Sequence, residues 1–146
     1  MSFVLRKGPC VTEKMYCGTS SALVAGAVAV FDVSTGAAVS PIIDATASLL
    51  AENVAGIVAN TPAAADTFCD VTLIVPGQIW EYDCTSNCST AMLGKVNDLT
   101  DSTTVANSTT ISTANTGFVR NLYYVGATTD KKMCGLILGA QDAVAN

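Results

Sequence analysis

Between residues 68 and 83, apolar and polar side chains alternate with a period of two on either side of a Pro-Gly pair. Cys69, Val71, Leu73 and Val75 fall on one parity and Asp70 and Thr72 on the other, as in a strand with one dry and one wet face. Pro76 presets φ for a turn and Gly77 accepts φ > 0, so the chain should reverse there. Residues 78–83 are then expected to return as the second arm of a hairpin or of a tight corner. On that arm Trp80, the only tryptophan, shares a face with Tyr82, while Ile79 and Glu81 occupy the other.

The rest of the chain supplies further segments of similar length. Residues 22–33 carry valine at 24, 28, 30 and 33 and end at Ser34-Thr35-Gly36, a strand and its turn. Residues 37–43 can return beside it, with Pro41 marking an edge or a bulge. Residues 53–60, around Gly56-Ile57-Val58, form another strand, and residues 91–99 restart the apolar pattern with Met92, Leu93, Val96 and Leu99. Residues 118–125 and 133–138 pair as a hairpin across the turn at 127–132. One short helical turn is expected over 44–51, capped by Asp44. Residues 84–90 are dense in side chains that bond their own backbone and so read as a turn; the Ser/Thr/Asn-rich stretch 100–116 reads as weak strands or a surface loop. Residues 1–21 are the least regular: Phe3, Val4 and Leu5 precede Arg6 and Lys7 in what reads as an N-terminal arm or a short first strand. The expected fold is all-β, a single small β-barrel or sandwich over residues 22–146, with an irregular N-terminal arm over residues 1–21.

Composition changes this picture in one respect. Charged residues are 13% of the 146, against about 25% in an average soluble protein, and apolar residues are 50%. Mean hydropathy is +0.44. Few charges leave much uncharged surface for partners, so a homo-oligomer (dimer or trimer) or a place in a larger assembly is expected. The net charge is −5 with no run of Lys or Arg, which argues against direct nucleic-acid binding. The longest apolar run, residues 22–31, is about half the ~20 residues of a spanning helix, so no membrane insertion is expected. That run reads better as a strand than as the apolar part of a signal peptide, which implies synthesis in a cytoplasm.

Candidate chemistry is sparse. There is no histidine, the usual general base and commonest transition-metal ligand. No Gly-rich phosphate loop occurs. Glu81 with Asp83 on a strand face, and Asp98 with Asp101 at a turn, read as solvated carboxylates rather than a cation site. Asn87 and Asn107 match the Asn-x-Ser/Thr pattern, which carries little weight in so Ser/Thr-rich a chain. Among six cysteines, only Cys84 and Cys88 approach zinc-ligand spacing, and no second pair completes a site. Cys84 with Cys88, and Cys10 with Cys17, are candidate local disulfides, while Cys69 and Cys134 read as buried small hydrophobes. No cofactor and no enzymatic activity are expected.

The order of elements carries a resemblance. Gly56-Ile57-Val58, an Ala/Asp loop, the strand at 71–75, Pro76-Gly77 before Ile79-Trp80-Glu81, Leu93-Gly94-Lys95-Val96-Asn97-Asp98-Leu99, Phe118-Val119-Arg120 and a last strand at 132–138 follow in turn. Over residues 22–138 this order resembles the small β-barrel decoration, or cement, proteins of tailed-bacteriophage heads. The resemblance implies a structural protein on the outer capsid surface of the virion, often multimeric, holding adjacent major capsid protein subunits together. It carries no catalytic residue, and the cysteine-bearing residues 1–21 and the stretch 100–116 depart from it. Phe3, Val4, Leu5, Arg6 and Lys7 are the candidate capsid-contact arm. The alternative is a secreted or virion-borne carbohydrate-binding β-module with Trp80, Tyr82, Tyr123 or Tyr124 as a stacking platform.

Overall fold

The structure, a computed structural model, describes residues 3–17, 23–31, 39–41, 54–63, 68–110 and 117–138. Its strands are β1 (Val4–Lys7), β2 (Thr12–Tyr16), β3 (Val28–Phe31), β4 (Val39–Pro41), β5 (Val54–Val58), β6 (Phe68–Thr72), β7 (Ile79–Cys84), β8 (Val96–Asp101), β9 (Thr104–Ala106), β10 (Val119–Tyr124) and β11 (Lys132–Ile137). The fold is all-β, as the alternation implies. β7, β11, β10, β8 and β9 pair in that order, and β9 returns to β7 in parallel, closing a five-stranded barrel. A second sheet runs β2-β6-β5-β3-β4.

β7 is the shared stave. Its second half, Asp83 and Cys84, pairs with Thr104 and Val105 of β9, while its first half pairs with β1, Val4 opposite Glu81 and Leu5 opposite Trp80. Burial alternates along it, with Trp80, Tyr82 and Cys84 inside and Ile79, Glu81 and Asp83 partly exposed. Leu99, Val105, Val119, Met133 and Ile137 complete the interior from the other staves. Gly135 is the gap in this packing. A Cβ there would collide with the carbonyl oxygen of Arg120 and the hydroxyl of Tyr82, so the missing side chain makes room for the phenol.

The second sheet packs against the barrel through Val28, Val30 and Ile57, which join the same core as Phe3, Trp80 and Tyr82. Main-chain bonds tie the two: Phe3 N–H donates to Gly26 O at 3.1 Å and Val28 N–H to Ser102 O at 2.7 Å. A smaller cluster of Cys17, Leu23, Ala29, Ala55, Val58, Cys69 and Val71 forms separately from this core. β4 returns beside β3 with Phe31 opposite Val39, and Pro41 lies in the outermost strand, where a proline is tolerated. The β10–β11 hairpin forms as its pattern implies, with Leu122 as an extra residue between the pairs Asn121–Gly135 and Tyr123–Cys134.

Two pairs of alternatives are decided, each for the second reading. Pro76 and Gly77 do make a turn, with Gly77 at φ 90°, but β6 and β7 belong to different sheets. The segment is therefore a corner between sheets and not a hairpin. Likewise, residues 3–7 are no free arm: β1 is hydrogen-bonded to β7, and Phe3 is 3% exposed, its ring 5.5 Å from Tyr82 and 5.7 Å from Phe118. The expected helical turn at 44–51 and the tail at 141–146 lie outside the described residues.

Phe3→Ala should thus lower the free energy of unfolding by about 3–5 kcal/mol, the range for emptying a buried aromatic site. Urea titration checks this; a loss within about 0.5 kcal/mol, as for an exposed residue, would return the segment to the status of an arm.

Candidate functional site

The polar chemistry of the described residues gathers inside the fold. Tyr82 reaches across the barrel, and its hydroxyl donates to Asn121 Oδ1 at 2.8 Å. The Asn121 amide nitrogen donates in turn to Met92 O at 3.1 Å and to Asn97 Oδ1 at 2.6 Å. Asn97 Oδ1 also accepts from Ser108 N–H at 3.2 Å, and Asn97 Nδ2 donates to Thr110 O at 3.2 Å. One chain of amides therefore joins β7, β10 and β8 to the segment after β9. Two further amides act alike. Asn107 accepts from Ser86 N–H at 2.9 Å and donates to Ser86 O at 3.0 Å, fastening the turn after β7. Gln78 holds the corner between sheets: its Oε1 accepts from Val75 N–H and Trp80 Nε1–H, and its Nε2 donates to Pro9 O and Leu73 O. No buried side-chain nitrogen or oxygen among the described residues lacks a partner. An unsatisfied buried amide costs about 1–3 kcal/mol, so each of these is committed to structure.

The expected carboxylate pairs separate into structural roles. Glu81 Oε2 takes Arg6 Nε at 2.9 Å and Nη2 at 2.8 Å, and Asp83 pairs with Lys132, so the outer face of β7 is neutralised by the neighbouring strands. Bonding to Asp83 raises the pKa of the Lys132 ammonium. Asp98 lies within β8, whereas Asp101 Oδ1 accepts from Thr103 N–H at 2.8 Å and shapes the β8–β9 turn. No group of three or more His, Cys, Asp or Glu able to hold a metal occurs among the described residues. Asn107 is buried and doubly bonded; Asn87 is exposed.

The aromatic candidates do not form one platform. Trp80 and Tyr82 are buried in the barrel at 2% and 0% exposure, so neither can stack on a sugar ring, while Tyr123 stands outside and Tyr124 packs partly on the core. The described surface instead carries seven large apolar side chains: Val11, Tyr16, Val24, Phe31, Phe68, Leu122 and Tyr123. Tyr16 and Phe68 are direct cross-strand partners, edge to face, with centroids 5.5 Å apart. A cleft of about 280 Å³ lies between β1 and the second sheet, lined by Val4, Leu5, Gly26, Ile57, Thr72 and Trp80.

Cys84 and Cys88 are both buried free thiols, at the two ends of the turn after β7. Cys10 and Cys17 do not form a local pair. The strand between them, Thr12–Tyr16, is extended and spans roughly 13 Å on its own, against a Cα separation of about 4.4–6.8 Å in a disulfide. Cys10 is exposed, whereas Cys17 is buried in one apolar cluster with Cys69. Cys134 is buried, in β11. No family model, curated protein or solved structure matches this chain.

Burial pushes the Cys69 thiol up to about 12 and raises those of Cys84, Cys88 and Cys134 and the phenol of Tyr82. These groups hold their protons longer folded than unfolded, so their contribution is complete below an unfolded thiol pKa of about 8.5 and falls as pH rises above it. Urea titrations in reductant at pH 7, 9 and 10.5 should show stability declining in that order; a flat or rising series would contradict the burial of these groups. Tyr82→Phe, measured at pH 7, should cost about 1–3 kcal/mol by leaving Asn121 Oδ1 without its phenol donor. An unchanged unfolding midpoint would show that water or another donor replaces it.

Proposed function

We propose that the chain is a structural decoration protein of a tailed-bacteriophage head, binding the outer surface of the mature shell and bridging adjacent major capsid protein subunits. The order of strands and turns over residues 22–138 supports this reading through its resemblance to cement proteins. The observation that carries it is the division of chemistry between inside and outside. Tyr82, Gln78, Asn97, Asn107 and Asn121 spend their polar atoms on one another and on the backbone, while large apolar side chains, the Tyr16–Phe68 pair among them, stand exposed beside charged ones such as Arg6, Lys14 and Arg120.

Such a surface suits many weak contacts repeated over a lattice, where simultaneous engagement makes occupancy stable without a deep pocket. Binding the mature lattice in preference to the ruptured one stabilises it by mass action against heat and internal pressure. Within the segment at 3–7, Phe3 belongs to the core and Leu5 packs against it, which leaves Arg6 and Lys7 as its exposed side chains. Tyr16 and Phe68 on the second sheet are the better anchors, because an adjacent aromatic pair offers a large, low-entropy contact. The partners are then the major capsid protein and other copies of this chain, at the virion surface after synthesis in the host cytoplasm.

Purified chain added to expanded shells that lack it should co-sediment to saturation and raise the temperature of shell disruption. The double variant Tyr16→Ser, Phe68→Ser should fold but occupy the shell at least about tenfold less well, the effect of losing roughly 1.4 kcal/mol. No co-sedimentation of the unaltered chain would overturn the proposal; undiminished binding of the variant would move the anchors elsewhere.

A further inference from the structure

Four of the six cysteines stand in two adjacent pairs, one in each sheet. Met15 of β2 is directly opposite Cys69 of β6, and Cys17 follows two residues later on the same face, so Cys17 and Cys69 are diagonal neighbours. Both are free thiols buried in the smaller apolar cluster. At the end of β7, the Thr-Ser-Asn turn brings Cys88 back to Cys84. That turn is already fixed: Asn107 bonds both the N–H and the carbonyl of Ser86, Cys88 N–H donates to Thr128 O at 2.8 Å, and the Cys88 thiol lies 3.6 Å from Lys132 O. Two independent pairs of facing sulfurs, each positioned by strand register or by a pinned turn, are unlike scattered buried cysteines, which need no neighbour of their kind.

We propose that Cys17–Cys69 and Cys84–Cys88 are two disulfide sites, one bracing each sheet, that close when the chain meets an oxidising low-molecular-weight disulfide. In each, one cysteine thiolate attacks a sulfur of that disulfide and expels a thiol, and the second cysteine thiolate displaces the remaining half. The protein dithiol loses two electrons and two protons; the small disulfide gains both and leaves as two thiols. The sulfurs, free thiols in this structure, must then draw together to about 2.05 Å, which for the diagonal pair Cys17–Cys69 requires the backbone to move. Cys17 lies just beyond the end of β2, where the backbone can yield.

The two bridges differ in reach. Cys84–Cys88 closes a local turn, whereas Cys17–Cys69 encloses β3, β4 and β5 in one ring and ties the outer strand β2 to the sheet. The longer ring restricts the unfolded chain more, so it should dominate the gain in stability. Buried protonated thiols attack slowly, which makes closure fast during folding and slow once folded. The proposal is independent of the decoration reading.

The full chain is refolded from denaturant with oxidised and reduced glutathione, or with dithiothreitol alone, then alkylated, digested and mapped by mass spectrometry. In glutathione, peptides cross-linked through Cys17–Cys69 and Cys84–Cys88 should appear, with Cys10 and Cys134 alkylated. The unfolding midpoint should rise and fall back on reduction. Cys17→Ser should abolish the first bridge and most of the gain while keeping the second, and Cys84→Ser the reverse. All thiols alkylated under glutathione, or pairing through Cys10 or Cys134, would overturn the proposal, and the mapping of the unaltered chain decides this even if a variant fails to fold.

Discussion

A phenol buried inside a narrow barrel must find both room and a hydrogen-bond partner, and Tyr82 has each from a different strand. Gly135 on β11 supplies the room, since any side chain there would strike the phenol, and Asn121 on β10 supplies the acceptor. Asn121 then fixes Asn97 on β8, so one buried hydroxyl sets the relation of four staves. A partly satisfied network would be worse than an apolar core, and this one is complete among the described residues. The amides therefore specify which strands close the barrel, while the apolar side chains around them drive its collapse.

The second sheet depends on the same arrangement through the N-terminal segment. β1 lies on β7 and β2 on β6, so residues 3–17 touch both sheets, and Phe3 fills the core where they meet. Gln78 secures the corner by bonding Pro9 O and Leu73 O with one nitrogen. Cys17 and Cys69 lie apart from this junction, in the cluster that excludes the barrel residues.

Much of this was legible in the alternation of side chains, and the failures share a cause. The β10–β11 hairpin and the shared face of Trp80 and Tyr82 follow from local pattern. Pro76-Gly77 announces that the chain turns but not which sheet receives it, because that depends on partners far away. Phe3 looked like part of an arm because β1's partner lies far along the chain, the Arg6–Glu81 bond spanning 75 positions. Cys17 invited pairing with Cys10 for the same reason, its true neighbour being across a strand pair. The amide chain did leave a trace: Asn97 shares parity with Leu99, and Asn121 with Val119, so each is a polar residue on a dry face. Such a misfit marks a buried hydrogen bond but cannot name its partner.

The proposed decoration role rests on the exposed Tyr16–Phe68 pair of the second sheet as its anchor. The most direct measurement of that role is the copy number of this chain in density-gradient-purified particles, by quantitative mass spectrometry against the most abundant shell protein. A lattice-wide cement protein predicts a ratio near one or a simple fraction of it. A handful of copies per particle, or none, would contradict it.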